Sequence, residues 1–297
     1  MMEWQQIIGF YQLVKQGSFT QAANASFRTQ SALSQQVRKL EDEFRCQLIN
    51  RISRKKFTLT PAGERVYQFA VSVMGEHDKL TDDISAIRGL PRGRLTMVAP
   101  FTTLYHLFPE PFKSFLDTYP FVELTILDRP QTQALEMVKT GDIDIAIALE
   151  SQAPKGLDRR RWRQVDTVLI VPDKHPLLRR KGVTLKDIAG YPLILPPRSI
   201  ESRRFIEELF EKKGIPYRVI MESGNVELSS RYVEAGIGIS FARIVSGLTP
   251  PQGRKIRFLP MTGYFGTDHL AVVTRRGKSL PFYAEDFIAR ILMGNKP

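Results

Sequence analysis

A chain of 297 residues with 43 Lys and Arg against 31 Asp and Glu carries a formal charge of +12, and its pI ≈ 9.8 favours polyanionic partners. The length suggests two or three domains, the hydrophobic share of 42% is that of a globular protein, and a single cysteine, Cys46, excludes an intrachain disulfide. The opening MMEWQQIIGFYQLVKQG lacks the basic-then-apolar order of a secretory leader, and no uncharged apolar run approaches the ~20 residues of a membrane span, so a cytoplasmic location is expected.

Charge is uneven along the chain. Residues 1–60 hold nine Lys and Arg against four Asp and Glu, whereas residues 61–90 hold three against five. Trp4, Ile7, Ile8 and Tyr11 recur at helical spacing and predict a first helix that stops at Gly17. SFTQAANAS predicts a second helix, with Ser18 and Gln21 at capping-box spacing and alanines small enough for close packing. A short break at FRT leads into TQSALSQQVRKLEDEF, residues 29–44. Wound at ~100° per residue, Leu33, Val37, Leu40 and Phe44 form one apolar stripe, and Thr29 is the expected N-cap.

The other face of that third helix carries Ser31, Ser34, Gln35 and Arg38. Water would be as well served by Glu and Lys. Amides, hydroxyls and a guanidinium are instead the groups that read base edges: Gln pairs with adenine, Arg with guanine, Ser with either base or phosphate. Helix, short turn, helix with these residues predicts a helix-turn-helix. Its candidate DNA contacts are Thr29, Gln30, Ser31, Ser34, Gln35 and Arg38. RISRKKFTLT follows, where Ile52, Phe57 and Leu59 suggest a two-stranded wing. Arg51, Arg54, Lys55 and Lys56 around its tip are expected to contact phosphates, which position a protein without reading sequence.

Thr60-Pro61 is an N-cap followed by Pro at the first helical position. From there Val66, Phe69, Val73, His77, Leu80, Ile84 and Ile87 recur at a mean spacing near 3.5, the period of a coiled-coil seam. A linker helix over about 28 residues would be about 40 Å long, and GLPRGR ends it. Beyond Arg94, apolar runs such as RLTMVAP, VELTILD, IDIAIAL, TVLIVP, PLILP and GIGISFA alternate with helical segments at 104–118, 131–140, 202–213 and 225–235. That alternation predicts an α/β architecture with largely parallel sheets. A break near RRRWRQ suggests two subdomains, with the last strand and helix, 269–293, returning to the first.

At this point the chain resembles a known family, the LysR-type transcriptional regulators. GSFTQAANASFRTQSALSQQVRKLEDEF looks like their helix-turn-helix signature, and TLTPAGE like the entry to their linker helix. YPFVELTI and TGDIDIAIA are similar to their first effector subdomain, HPLLRRKGVTLKDIAGYPLI and VEAGIGISF to the second. The resemblance implies a winged helix-turn-helix over 1–60, a dimerising linker helix over 61–90 and an effector domain of periplasmic-binding-protein type over 91–297. The last divides into subdomain I (about 91–163 and 269–297) and subdomain II (about 164–268). It also implies a homodimer, assembling as a dimer of dimers on an interrupted inverted repeat in promoter DNA, with RNA polymerase admitted as a further partner. Two departures stand at the turn into the wing: Arg45 where the family usually has Gly, and Ile49 where it usually has Phe.

Enzymatic readings find little support. His77, His106, His175 and His269 do not pair with Cys, Asp or Glu at metal-ligand spacing, and no G-x-S-x-G elbow is present. AGIGIS has a G-x-G, but between a helix and a strand, the reverse of a dinucleotide loop. No catalytic residue, metal or cofactor is expected. A transport solute-binding protein would not need residues 1–90, and an architectural DNA protein would not need the α/β half.

Open α/β sheets bind ligands beyond the carboxyl ends of strands, often between domains. Those ends are Pro100, Phe101, Thr102 and Thr103 after the first strand, and Asp128 and Arg129 after the second. In the second subdomain they are Arg198, Ser199 and Ser202, then Ser223 and Asn225, then Phe241. Ser202 is expected to cap a helix that begins near Arg203, forming an anion site. A small anionic effector follows, a carboxylate metabolite or an inorganic oxyanion. RPQTQALEMVKTGDIDIAIALE resembles the family's sulfur-assimilation regulators, although Leu149 and Pro100 stand where those carry hydroxyls.

Overall fold

The computed structural model describes residues 2–51, 57–87 and 91–294. The chain forms two compact units, one of residues 1–93 with 276–285 and one of residues 94–275 with 286–297.

In the first unit, α1 (Trp4–Gln16) ends at Gly17, whose φ of 65° is the left-handed conformation that glycine tolerates best. Its buried line is Ile7, Phe10 and Leu13, so Trp4, at 38% exposure, flanks the core instead of entering it. A short α2 (Phe19–Ala25) follows, and Ser18 precedes it without a side-chain capping bond, so the predicted capping box does not form. In α3 (Gln30–Phe44), Thr29 Oγ1 accepts from the Ala32 N–H at 3.2 Å. Leu33, Val37 and Leu40 are fully buried, whereas Phe44 is 44% exposed because the core ends a turn earlier. β1 (Ile49–Arg51) pairs antiparallel with β2 (Phe57–Leu59), Ile49 opposite Leu59, as the predicted wing requires.

Thr60 caps α4 (Pro61–Ile87), its Oγ1 accepting from the Gly63 N–H at 3.0 Å. Gly63 allows the closest approach in this unit: a Cβ there would lie 1.9 Å from the Leu48 carbonyl oxygen. Tyr67 and Val71 of α4 join Phe10, Leu33, Val37, Leu40, Leu48 and Ile49 in one core. Further along α4, Asp82 accepts from the Tyr283 hydroxyl at 2.7 Å.

The second unit begins with β3 (Gly93–Val98), α5 (Phe101–Leu107), α6 (Pro109–Thr118), β4 (Val122–Leu127), α7 (Gln131–Thr140), β5 (Ile145–Leu149) and β6 (Leu157–Pro172). It continues through α8 (Leu185–Ala189), β7 (Leu193–Leu195), α9 (Glu201–Glu211), β8 (Val219–Glu222), α10 (Val226–Glu234), β9 (Ile239–Val245) and β10 (Ile256–Pro260). The last elements are α11 (Thr262–Phe265), β11 (Thr267–Arg275) and α12 (Phe282–Met293). Among the described residues the strands make one sheet in the order β4-β3-β5-β11-β6-β9-β7-β8, with β10 on β6.

Three predictions are corrected here. The sheet is mixed: β3–β5 and β7–β8 run parallel, but β6 pairs antiparallel with β9, β10 and β11. The RRRWRQ segment is the interior of the 16-residue strand β6, not a break. Asp158, Arg159, Arg160 and Arg161 are all exposed between the buried Leu157 and Trp162, so this half of the strand is held by pairing to β11 on its backbone rather than by an alternating apolar face. The helical segment 104–118 is also two helices, because Pro109 starts a new one after Phe108. Ala134, Val138, Ala146, Ala148, Ala271 and Val273 form the core under α7, and Leu169, Leu193, Ile206, Phe210 and Ile239 form another under α8 and α9.

Candidate functional site

The outer face of α3 presents Gln30, Ser31, Gln35 and Arg38 to solvent, with Ser34 half-buried beside them. Thr29 Oγ1 lies 3.0 Å from Ser31 Oγ, so the N-cap and its neighbour form one hydroxyl pair at the helix start. The predicted set on this helix therefore shares one surface. The backbone of Arg51 is in β1, while Arg54, Lys55 and Lys56 lie outside the described residues.

Arg45 has φ 51° and ψ 35°, a left-handed C-cap that reproduces a glycine-like turn with an arginine. Its neighbour's amide, from Cys46, donates to the Glu41 carbonyl at 3.1 Å. The Glu41 carboxylate accepts from the backbone N–H groups of Leu48 at 2.9 Å and Ile49 at 3.3 Å, fixing the helix-to-wing corner. Ile49 itself is buried in the core. Both departures from the resemblance are thus accommodated. The corner leaves an open groove lined by Arg38, Glu41, Gln47, Ile49 and Asn50. Exposed Gln47 and Asn50 were missed by sequence reasoning; the available signal was a pair of amides around the buried Leu48–Ile49 step.

The effector candidates divide. Pro100 precedes α5; Phe101 stacks on Tyr105 at 5.8 Å, and Thr103 is buried. Thr102 lines a cavity of about 10 Å³, on the scale of one water, with His106, Glu227, Ser230 and Arg254 among its other walls. Across it His106 Nε2 lies 2.7 Å from Glu227 Oε1, joining α5 to α10. Arg254 donates through Nε to Glu234 at 2.8 Å, while its Nη2 is buried without a partner among the described residues. The Lys255 N–H, first, and Arg254 hold the Glu234 carboxyl below the usual carboxylate range.

Asp128 and Arg129 are exposed, Arg129 Nη1 donating to the Asp128 carbonyl at 2.7 Å. Arg198 and Ser199 are exposed on the loop before α9, Arg198 3.4 Å from Glu207. Ser202 does not cap α9: the helix starts at Glu201 after Ile200, placing Ser202 inside the first turn. The residue sequence reasoning missed there is Arg203, 3% exposed, donating to the Pro196 carbonyl at 2.9 Å and to Glu207 and Glu222. Asn225 does cap its helix, accepting from the Leu228 N–H at 3.0 Å. Phe241 is 5% exposed and packs near Phe265, its ring centroid 5.6 Å away, so it belongs to the core. No group of three or more His, Cys, Asp or Glu able to hold a metal occurs among the described residues. Nor is any described helix long and apolar enough to cross a membrane.

Residues 4–64 match the family model of the bacterial regulatory helix-turn-helix protein, lysR family, and residues 88–294 match that of the LysR substrate binding domain. The chain belongs to the LysR family. LysR-type proteins are transcriptional regulators, and this one has their helix-turn-helix and effector-binding domains. Its relatives include the HTH-type transcriptional regulator CysB of Burkholderia cenocepacia, 29% identical over 90% of this chain and 85% of that one. Another is the HTH-type transcriptional activator CmpR of a Synechocystis strain, 26% identical over 94% and 91%. Among solved structures, a full-length OxyR variant from Pseudomonas aeruginosa superposes with a TM-score of 0.71 at 20% identity, covering 100% of this chain and 99% of that one. CbnR complexed with its target DNA gives 0.54 at 20% identity, covering 99% and 100%. These two show the fold shared across LysR-type regulators.

Proposed function

We propose that this LysR-type regulator is cytoplasmic and binds promoter DNA through the outer face of α3 and the wing, under control of a small anionic effector. The observation that carries the reading is the composition of that face: hydroxyl, amide and guanidinium groups exposed together over a fully buried Leu33–Val37–Leu40 stripe. Thr29, Gln30, Ser31, Ser34, Gln35 and Arg38 contact DNA, with Arg51, Arg54, Lys55 and Lys56 on phosphates. CbnR was solved on its target DNA, which supports a duplex as the partner here.

The winged helix-turn-helix is assigned to 1–60, the linker helix to 61–90 and the effector domain to 91–297. Dimerisation runs along the seam of α4, where Phe69, Leu80, Ile84 and Ile87 are 47%, 59%, 45% and 85% exposed in the single chain. Such a row is costly in water and is relieved by a second copy of the helix. A dimer of dimers then spans an interrupted inverted repeat. The effector is assigned to the strand-to-helix junctions carrying Thr102, Arg198, Ser199, Ser202 and Asn225. Selection of duplexes from a random pool by the full chain tests the first half: enrichment of an interrupted inverted repeat is expected, and no enrichment would sink it. Thermal shift against carboxylates and inorganic oxyanions tests the second, because a ligand of the native state raises the melting temperature.

A further inference from the structure

Phe27 stands in the turn between α2 and α3. Its backbone is left-handed, with φ 53°, and its side chain is 98% exposed. Bulky L-residues avoid that region, which glycine and asparagine tolerate far better. The next residue behaves in the opposite way. The Arg28 amide donates to the Ala23 carbonyl at 2.9 Å, and its guanidinium folds back along the surface to hydrogen-bond the exposed Gln5 of α1. The turn thus holds a cation against the protein and a phenyl ring in water, which hydrophobic burial alone would reverse.

Phe27 is two residues before the N-cap of α3, so its Cα lies within about 7.6 Å of that of Thr29. The ring therefore stands at the rim of the surface formed by Thr29, Gln30 and Ser31. We propose that Phe27 is an affinity-determining residue of the DNA interface, packing its ring against the apolar faces of deoxyribose beside the recognition helix. The inference rests on the DNA-binding reading above. The chemistry suits the place: a ring with two side-chain torsions loses little freedom on contact, and burying it stabilises without needing a partner charge. A strained, fully exposed phenylalanine brings no benefit to the isolated fold. Its benefit comes when the surface is covered.

The test uses the full chain and a duplex selected from a random pool by the wild type. Phe27→Asn suits the left-handed turn, and the melting temperature should be unchanged or higher. Its affinity for the duplex should fall roughly tenfold, or about 1.4 kcal/mol, at every salt concentration and with the salt slope retained, since no phosphate contact is lost. Phe27→Leu should bind within about threefold of wild type, because it keeps an apolar side chain. Equal affinity of wild type and Phe27→Asn, equal loss in both variants, or a shallower salt slope would each overturn the proposal. A wild type that enriches no sequence would overturn the DNA reading and this inference with it.

Discussion

Gly63 and Gly75 lie on the same helix, yet alanine should act on them in opposite directions. At Gly63 an added Cβ would sit 1.9 Å from the Leu48 carbonyl oxygen, whereas at Gly75 nothing lies within 4 Å. Relief at Gly63 requires α4 to move by roughly 1.5 Å, the shortfall from an ordinary contact of about 3.4 Å, away from a backbone atom in the core. The displaced junction includes the Thr60 N–H bond to Leu48 at 3.0 Å and the Thr60 hydroxyl bond to Gln47 at 2.7 Å. Overpacking costs about 1–3 kcal/mol, and weakening two hydrogen bonds adds about 0.5–1.5 kcal/mol each. We therefore expect Gly63→Ala to destabilise the first unit by roughly 2–6 kcal/mol, a large part of a typical domain's stability. Gly75→Ala should instead stabilise by up to about 1 kcal/mol through helix propensity. Trp4, whose ring lies 5.4 Å from that of His77 of α4, reports on this unit in urea once Trp162 is replaced by Phe. Coincident urea midpoints for Gly63→Ala and the parent, or shifts of both variants in the same direction, would refute the reasoning.

Placing Glu at Val73 and Leu80 puts charges into the proposed seam, where desolvation and like-charge repulsion oppose association. Sedimentation should then show monomer, and an unaltered dimer would locate the contact elsewhere. His175 supplies a pH test. Burial lowers its pKa below the usual 6.5, and its Nδ1 accepts from the Leu177 N–H at 3.3 Å. The unfolded chain takes up that proton first, so the stability it supplies is complete above about pH 6.5 and is lost as pH falls through the depressed folded value. His175→Asn keeps a capping acceptor without the titration, and its melting temperature should fall less between pH 7.5 and 5; equal slopes would remove His175 from the account. For the effector, Thr102→Ala and Ser202→Ala should each weaken calorimetric binding of whichever anion shifts the wild-type melting temperature. Unaltered affinity in both would place the ligand elsewhere.

The first unit was largely legible in its sequence because local chemistry decides it. Thr29 and Thr60 cap as their spacing implies, and Gly17 ends α1 in the left-handed conformation. Errors arose where tertiary contacts override local pattern. Phe44 continues the stripe of α3, but the core ends at Leu40. Ser18 and Gln21 have capping-box spacing, but no side-chain cap forms.

In the second unit, strands were found while their directions were not, since an apolar run does not encode its neighbour. The arginines of β6 read as a boundary because four consecutive exposed residues, Asp158 to Arg161, carry no alternation, and what keeps them in a strand is backbone pairing to β11. Ser202 was misplaced as a cap by a helix start shifted to Glu201, and Arg203, buried by its bonds to Pro196, Glu207 and Glu222, leaves no sequence signal that separates it from Arg204. Phe241 reads in the sequence as the end of a strand opening a ligand loop, yet it lies inside β9 opposite Leu169 and packs against Phe265 in the core.

The central claim is that α3 reads bases while the wing positions the protein. The most direct measurement is the affinity of Gln35→Ala and Arg38→Ala full-length chains for a wild-type-selected duplex and for a random duplex, across a salt series. Each lost base contact should cost about 1–3 kcal/mol on the selected duplex and little on the random one, with similar salt slopes. Equal losses on both duplexes would contradict the claim and reduce the outer face of α3 to a positioning surface.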